Sequence, residues 1–312
     1  MKKKKIWITG PNGMVGSALV RKFSKEYKVL SVNKKKLNLL DQKKVFSWIK
    51  KNKPDIILMS AAKVGGIYAN NHFPAEFIYE NLQIQSNIIE GAKINKIKKL
   101  VFIGSSCIYP RNCKQPIKEE YLLSGKLENT NQWYAVAKIA GLKMVEAYRK
   151  QYNLNYVSVM PCNMYGPKDN YDEKNSHVMA ALIRKFCIAK KNNLKEVIVW
   201  GSGKPLREFM HVDDFAEAMS KIIKKYNKMD PINVGSGQEI SILNLAKKIS
   251  KVVDFKGKII FDKKYPDGTP RKLLNISKIK KLGWKPKITL KNGIKMTIEN
   301  LINENIDITS LK

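Results

Sequence analysis

The chain is poor in acid and in residues that bind metals. Its 312 residues include 26 Asp or Glu against 59 Lys or Arg, with 3 His and 4 Cys. Cys107, Cys113, Cys162 and Cys187 form no Cys-x-x-Cys pair, and no paired His spacing accompanies them. No structural zinc or other metal site is therefore expected. No apolar run approaches the roughly 20 residues of a membrane span. The basic opening Met1-Lys2-Lys3-Lys4-Lys5 is not followed by the apolar stretch and small-residue cleavage site of a signal peptide. A reduced, cytoplasmic protein with no membrane contact is expected. The shortage of acid leaves a formal charge of +33 and a pI near 9.9, the electrostatic footprint of a nucleic-acid binder. Yet the lysines run through every segment, with no Arg-rich block, helix-turn-helix pattern or aromatic-basic interleaving. No specific nucleic-acid partner is expected, only non-specific attraction to polyanions at low salt. There is no internal repeat.

A hydrophobic content of 44% over this length can bury a full core in one large or two small domains. Lys5-Ile6-Trp7-Ile8-Thr9 reads as a short buried strand, followed at once by Gly10-Pro11-Asn12-Gly13-Met14-Val15-Gly16. From Gly13 to Lys25 the residues Met14, Val15, Leu19, Val20 and Phe23 recur at helical spacing. Strand, glycine loop and helix make the first βα turn of a dinucleotide-binding unit. The glycines allow a tight turn and close backbone approach, and the helix start offers free N–H groups to a pyrophosphate. Gly10, Asn12, Gly13, Met14, Val15 and Gly16 are the candidate contacts. Strands then alternate with helices: strand 28–32, helix 42–51, strand 55–59, helix 75–95, strand 99–104, helix 131–152, strand 155–160. Such alternation predicts an α/β fold, a doubly wound parallel sheet of Rossmann type with helices on both faces. Beyond Gly166 the pattern is mixed: helix 177–190, strand 196–200, helix 212–225, a returning strand 232–235, helix 242–253, strand 258–261, a Pro/Gly loop 266–270 and helical segments to the end. A dinucleotide-binding domain over 1–165, with returning segments near 205–236, and a smaller α/β substrate domain mainly over 166–312 are expected. His211-Val212-Asp213-Asp214 reads as a helix start with an aspartate near the cap.

Tyr134 and Lys138 stand one helical turn apart, and residues at i and i+4 share a face. A nearby cation favours the phenolate, so Lys138 is expected to lower the pKa of Tyr134. Ser105 lies about thirty residues upstream at the end of a strand. The second strand ends Val32-Asn33-Lys34-Lys35-Lys36 with no carboxylate before Asp41. NAD-selective folds place an acid there, so a lysine, Lys34 first, points to a 2′-phosphate and to NADP(H) as cofactor.

The glycine loop, Ser105 ahead of Cys107-Ile108-Tyr109-Pro110, and Tyr134-x-x-x-Lys138 together resemble the extended short-chain dehydrogenase/reductases that act on nucleotide sugars. Further runs narrow the likeness to one branch: Ala61-Ala62-Lys63-Val64-Gly65-Gly66-Ile67, Ser158-Val159-Met160-Pro161, Asn175-Ser176-His177-Val178, Trp200-Gly201-Ser202-Gly203 and Asp267-Gly268-Thr269-Pro270-Arg271-Lys272. That resemblance spans about Lys5 to beyond Trp284. It implies conversion of GDP-4-keto-6-deoxy-D-mannose to GDP-L-fucose, by epimerisation at C3 and C5 and NADPH-dependent reduction at C4. Tyr134 would protonate the ketone oxygen, Ser105 would hydrogen-bond it, and Lys138 would also hold the nicotinamide ribose. Cys107 and His177 would be the base and acid of the epimerisations, a thiol needing partial ionisation and an imidazole titrating near working pH. The resemblance also implies cofactor contacts from Pro161, Asn163, Met164 and His177, substrate contacts from Lys185, Trp200, Arg207 and Asp267, and a homodimer built on helices 75–95 and 131–152. An NAD(P)-dependent epimerase or dehydratase on another nucleotide sugar would share Ser105, Tyr134 and Lys138. It would not need Cys107 and His177 together, and a dehydratase would want an acidic pair beside the serine, which is absent.

Overall fold

The computed structural model describes residues 3–173, 175–265 and 267–304. Pro266, within the loop expected over 266–270, lies outside them. In chain order the first half comprises β1 (Lys5–Ile8), α1 (Met14–Phe23), β2 (Lys28–Leu30), α2 (Gln42–Asn52), β3 (Ile56–Met59), α3 (Ile67–His72), α4 (Pro74–Ile94), β4 (Lys99–Ile103), α5 (Gln132–Tyr152) and β5 (Asn155–Pro161). The second half comprises β6 (Asn163–Tyr165), α6 (Val178–Lys191), β7 (Glu196–Trp200), β8 (Leu206–His211), α7 (Val212–Lys225), β9 (Ile232–Val234), β10 (Glu239–Ser241), α8 (Ile242–Val253), β11 (Lys258–Asp262), β12 (Arg271–Lys272), α9 (Ser277–Lys281) and α10 (Leu290–Asn303).

Six strands form a wholly parallel sheet in the order β2-β1-β3-β4-β5-β9. β3 and β4 are buried at every residue, because helices cover both faces, and the one polar side chain, Lys99 at the start of β4, donates to the Tyr226 carbonyl at 2.6 Å. α2, α4 and α5 pack side by side as one layer, while α1 packs with α7 as the other. Local chemistry sets the ends of these helices. The Asp41 carboxylate accepts from the Lys44 N–H at 3.0 Å and caps α2, and Lys53 and Asn153 take left-handed conformations after α2 and α5. α4 starts on Pro74, whose missing N–H costs nothing in the first turn.

A second apolar cluster gathers Met179, Ile183 and Phe186 of α6, Leu245 and Ile249 of α8, and Ile294 of α10, apart from the cluster on the six-stranded sheet. β8 runs between β10 and β12 and also pairs with β6, while β11 pairs with β7. After β8 the chain returns to the large sheet: Phe215 and Met219 of α7 and Ile232 and Val234 of β9 belong to the first cluster. The helix starting at 212 is capped by His211, whose Nδ1 accepts from the Asp213 N–H at 3.3 Å. Asp214 is buried and accepts from the backbone of Lys287 and Ile288 at 3.1 and 2.8 Å, tying the C-terminal segment to α7.

Candidate active site

All the parallel strands end on one side, and the segments leaving β1, β3, β4 and β5 at that edge build the cleft. Gly10 has φ +63°, a conformation open to glycine and strained for most residues. Its Cα packs on Ala61 after β3, where a Cβ would meet the Ala61 Cα at 3.1 Å. Gly16 lies inside α1 against the Gly10 carbonyl, with no room for a side chain. Gly13 caps α1 without a side-chain acceptor, and the first turn carries no acid. The opening N–H groups of α1 are thus left for an anion.

Beside this loop is a cavity of about 270 Å³, lined by Pro11, Asn12, Val20, Ser31, Val32, Asn33 and Lys36. No carboxylate lines it. The basic residue there is Lys36, not the Lys34 expected from the sequence. A turn over 34–36, closed by the Asn33 side chain accepting from the Lys36 N–H at 3.0 Å, folds Lys36 back and leaves Lys34 outside the lining.

Two residues past β4 stands extended Ser105, whose hydroxyl accepts from the Cys107 N–H at 3.1 Å and caps the single turn Ser106–Ile108. That turn projects Cys107, whose sulfur receives the Asn131 amide at 3.5 Å and the Lys272 ammonium at 3.6 Å. Tyr134, in the first turn of α5, is hydrogen-bonded to Ser105 and electrostatically coupled to Cys107. Burial first, and the nearby sulfur second, push its phenol above the ordinary tyrosine value, against the smaller opposing effect of Ser105. This corrects the expectation that Lys138 lowers it. Lys138 is buried, donates to the Ile103 carbonyl at 2.9 Å, and lies 5.0 Å from the centre of the Phe102 ring and 5.8 Å from that of Tyr134. Its charge addresses the carbonyl and the ring faces, and burial brings the ammonium down to about 8.

His177 precedes α6, its carbonyl accepting from the Ala181 N–H at 2.9 Å. The loop before it lies against the one after β3: Gly66 N–H donates to the Asn175 carbonyl at 2.9 Å, and a Cβ on Gly66 would stand 2.5 Å from the Ser176 carbonyl oxygen. The glycine pair thus lets two backbones meet and sets the height of His177. His177 is exposed as a residue, yet protein lies close around its ring. That enclosure, then the Lys272 charge, holds the imidazole below its ordinary value.

Pro161 closes β5 and is buried. Asn163 donates to the Glu208 carbonyl at 3.0 Å, and Met164 packs against the large core. Arg207, on β8, donates to its neighbour's carbonyl at 2.9 Å and to the Asp267 carbonyl at 3.5 Å, and Cys107 lies close enough to favour its charge. The Asp267 carboxylate takes both the N–H and the hydroxyl of Ser202 at 2.7 Å, closing the Gly201–Gly203 turn. Farther out, Lys185 lies 4.8 Å over the Trp200 ring, which stacks on Tyr265 at 4.2 Å. Ser105, Cys107, Tyr134, Lys138, His177 and Arg207 therefore share one cleft, with Lys185, Trp200 and Asp267 at its outer end. Sequence reasoning missed Asn131, Tyr265 and Lys272. Lys272 stood in a quoted run, but nothing in the sequence separates a buried lysine from the many exposed ones.

The NAD dependent epimerase/dehydratase family matches residues 6–235. A GDP-L-fucose synthase of Sinorhizobium fredii is 48% identical over 305 residues, covering 97% of each chain. Among solved structures, a GDP-6-OMe-4-keto-L-xylo-heptose reductase from C. jejuni superposes with TM-score 0.92 at 36% identity, over 98% of this chain and 99% of that one. A GDP-L-fucose synthetase from Naegleria fowleri bound to NADP gives 0.90 at 27% identity, over 98% and 96%. The chain belongs to the NAD-dependent epimerase/dehydratase family, in the branch that holds the GDP-L-fucose synthases.

Proposed function

We propose that the protein converts GDP-4-keto-6-deoxy-D-mannose to GDP-L-fucose, inverting C3 and C5 and then reducing C4 with NADPH. The carrying observation is that the Lys272 ammonium contacts the Cys107 thiol at 3.6 Å and its charge also reaches the His177 imidazole, while Ser105 and Tyr134 stand beside the same sulfur. A plain 4-keto reductase needs only the serine, tyrosine and lysine. A second acid-base pair is what carbon inversion requires.

The 4-keto group acidifies the C–H bonds at C3 and C5. Cys107 as thiolate takes a proton from one face, and the negative charge moves to the C4 oxygen. The Ser105 and Tyr134 hydroxyls donate hydrogen bonds to that oxygen. His177 as imidazolium returns a proton to the other face of the carbon. For the reduction, Tyr134 gives its proton to the C4 oxygen as that carbon is reduced. Burial suits it to this task, since a phenol held above its usual value stays protonated at neutral pH. Bound NADPH would supply the hydride. The cradle fits such a group: Gly13 and Gly16 leave the start of α1 open, and Asn33 and Lys36, with no carboxylate, line the cavity where a 2′-phosphate would lie. Lys138 would hold the nicotinamide ribose, with Pro161, Asn163 and Met164 alongside. Lys185, Trp200, Arg207 and Asp267 would receive the GDP, Arg207 pairing with the diphosphate. We read the six-stranded sheet as the cofactor domain and the second core as the substrate domain. Exposed Tyr79, Trp133 and Val136 on α4 and α5 form the face of a homodimer.

The test is NADPH oxidation on addition of GDP-4-keto-6-deoxy-D-mannose, with the product identified by NMR. GDP-L-fucose is expected. The resemblance to the heptose reductase favours one other outcome, reduction of a related GDP-keto sugar only, and an inert fucose precursor would establish that instead.

A further inference from the structure

β12 is two residues long and pairs in parallel with β8, Arg271 opposite Leu206 and Lys272 opposite Arg207. Successive strand residues face opposite ways. Arg271 faces outward and forks onto the Glu239 carboxylate at 2.7 and 2.8 Å. Lys272 faces inward and is only 9% exposed. Among the described residues no carboxylate forms an ion pair with it. An unpaired buried cation is costly to keep, so what it faces matters. The groups around it come from four other elements: Cys107 after β4, His177 before α6, Arg207 on β8 and Cys113 in the loop beyond Tyr109. Tyr134 on α5 interacts electrostatically with the Cys107 sulfur, and Glu128 serves Arg207 and Arg111 rather than the lysine.

We propose that Lys272 is a positioning residue for proton transfer: its ammonium, 3.6 Å from the Cys107 sulfur, holds that sulfur as the thiolate that removes the sugar proton. The inference rests on the reading of Cys107 as base, and assigns the group that makes it one. Thiolate character is what a close fixed cation promotes. The Asn131 amide completes the arrangement, donating to the sulfur at 3.5 Å. The same charge also weakens the basicity of His177. One ammonium therefore keeps the sulfur in the unprotonated form that is able to take a proton and favours proton release at the ring, the two states from which an inversion starts. After one inversion the pair stands as thiol and neutral imidazole; the thiol gives its proton to water and the imidazole takes one from water before the second carbon is processed, and the cation favours the first of these transfers.

The experiment uses the full-length enzyme without substrate. The rate of iodoacetamide alkylation at Cys107 is read by mass spectrometry at pH 7, with Cys187 in the same sample as the reference thiol. Lys272→Met and Lys272→Gln, each shown folded by circular dichroism, are expected to slow Cys107 alkylation about tenfold, the change that goes with moving a thiol midpoint by about one pH unit. Lys272→Arg, keeping the charge, should stay within about threefold of wild type. His177, followed by its ring carbon in NMR, should titrate at higher pH in Lys272→Gln. Wild-type alkylation rates in both neutral variants, with only a raised KM for the GDP-sugar, would overturn the proposal and leave Lys272 as a substrate ligand. A change in alkylation in a protein that fails to make GDP-L-fucose would keep the electrostatic role and sink the functional reading, so the two failures are distinct.

Discussion

Gly16→Ala separates the structural from the cofactor role of the glycine loop when set beside Gly13→Ala. A Cβ at Gly16 would overlap the Gly10 carbonyl and stand 3.0 Å from the Pro11 Cα. Both neighbours are backbone, so the loop itself must move. Overpacking of this kind costs about 1–3 kcal/mol, while replacing glycine by alanine inside a helix returns about 0.5–1 kcal/mol. A net loss of about 1–2 kcal/mol of stability follows, since the close contact outweighs the propensity gain. At Gly13 a Cβ would meet only the Gly10 carbonyl, at an ordinary 3.7 Å, and its φ of −77° suits alanine. Gly13→Ala should therefore keep its stability within about 0.5 kcal/mol of wild type. NADPH binding divides the two differently. In Gly16→Ala the shifted loop loses one or two charge-assisted hydrogen bonds to the pyrophosphate, at about 1.5–3 kcal/mol each, so Kd rises at least about tenfold. In Gly13→Ala the methyl projects from an exposed position at the mouth of α1 and weakens NADPH without unfolding anything. Urea denaturation and fluorescence titration of NADPH measure both quantities. Wild-type NADPH affinity in both variants would refute the placement of the cofactor on this loop.

Other outcomes follow from single groups. Tyr134→Phe should lower NADPH oxidation by about 10²–10⁴-fold with folding intact, and full retained turnover would remove the tyrosine from the chemistry. Cys107→Ser should stop solvent deuterium entering the sugar while leaving NADPH affinity unchanged, because the sulfur touches Asn131 and Lys272, not the glycine loop. Lys36→Ala should weaken NADPH about tenfold and leave NADH unaffected, whereas equal losses for both would place no 2′-phosphate in that cavity. Glu208 is fully buried, accepting from the Gly237 and Leu274 N–H groups at 2.6 and 2.9 Å, and burial raises its carboxyl to about 7. The unfolded chain loses that proton first as pH rises from about 4.5 to about 7, so stability falls across that window by about 3 kcal/mol. Glu208→Gln should remove this slope in urea denaturation at pH 5 and 7.5. An equal difference from wild type at both values would contradict it.

The central sheet was legible because β1, β3, β4 and β5 are covered on both faces and read as near-continuous apolar runs between helices of regular period. The strands gathered around β8 were not. β8, Leu-Arg-Glu-Phe-Met-His, buries four consecutive residues, two of them ionisable, and so shows neither alternation nor an apolar run. β6, β10 and β12 have three residues or fewer and exist only because β8 pairs with them. α3 was hidden in the stretch after Gly66, where Asn70 satisfies the Gly65 and Gly66 carbonyls from its side chain. At the site, spacing could put Lys138 on the face of Tyr134 but not show that the Ile103 carbonyl would take the ammonium. The identity of the lysine in the cavity after β2 depended on a turn closed by Asn33, which three successive lysines do not reveal.

The most direct test runs the complete reaction in D₂O with NADPH and locates deuterium in the product by NMR. The account requires GDP-L-fucose with solvent deuterium at C3 and C5 and the cofactor's hydrogen at C4. A GDP-6-deoxy sugar reduced at C4 with no deuterium at C3 or C5 would contradict it, since Cys107 and His177 would then have exchanged no proton with the ring.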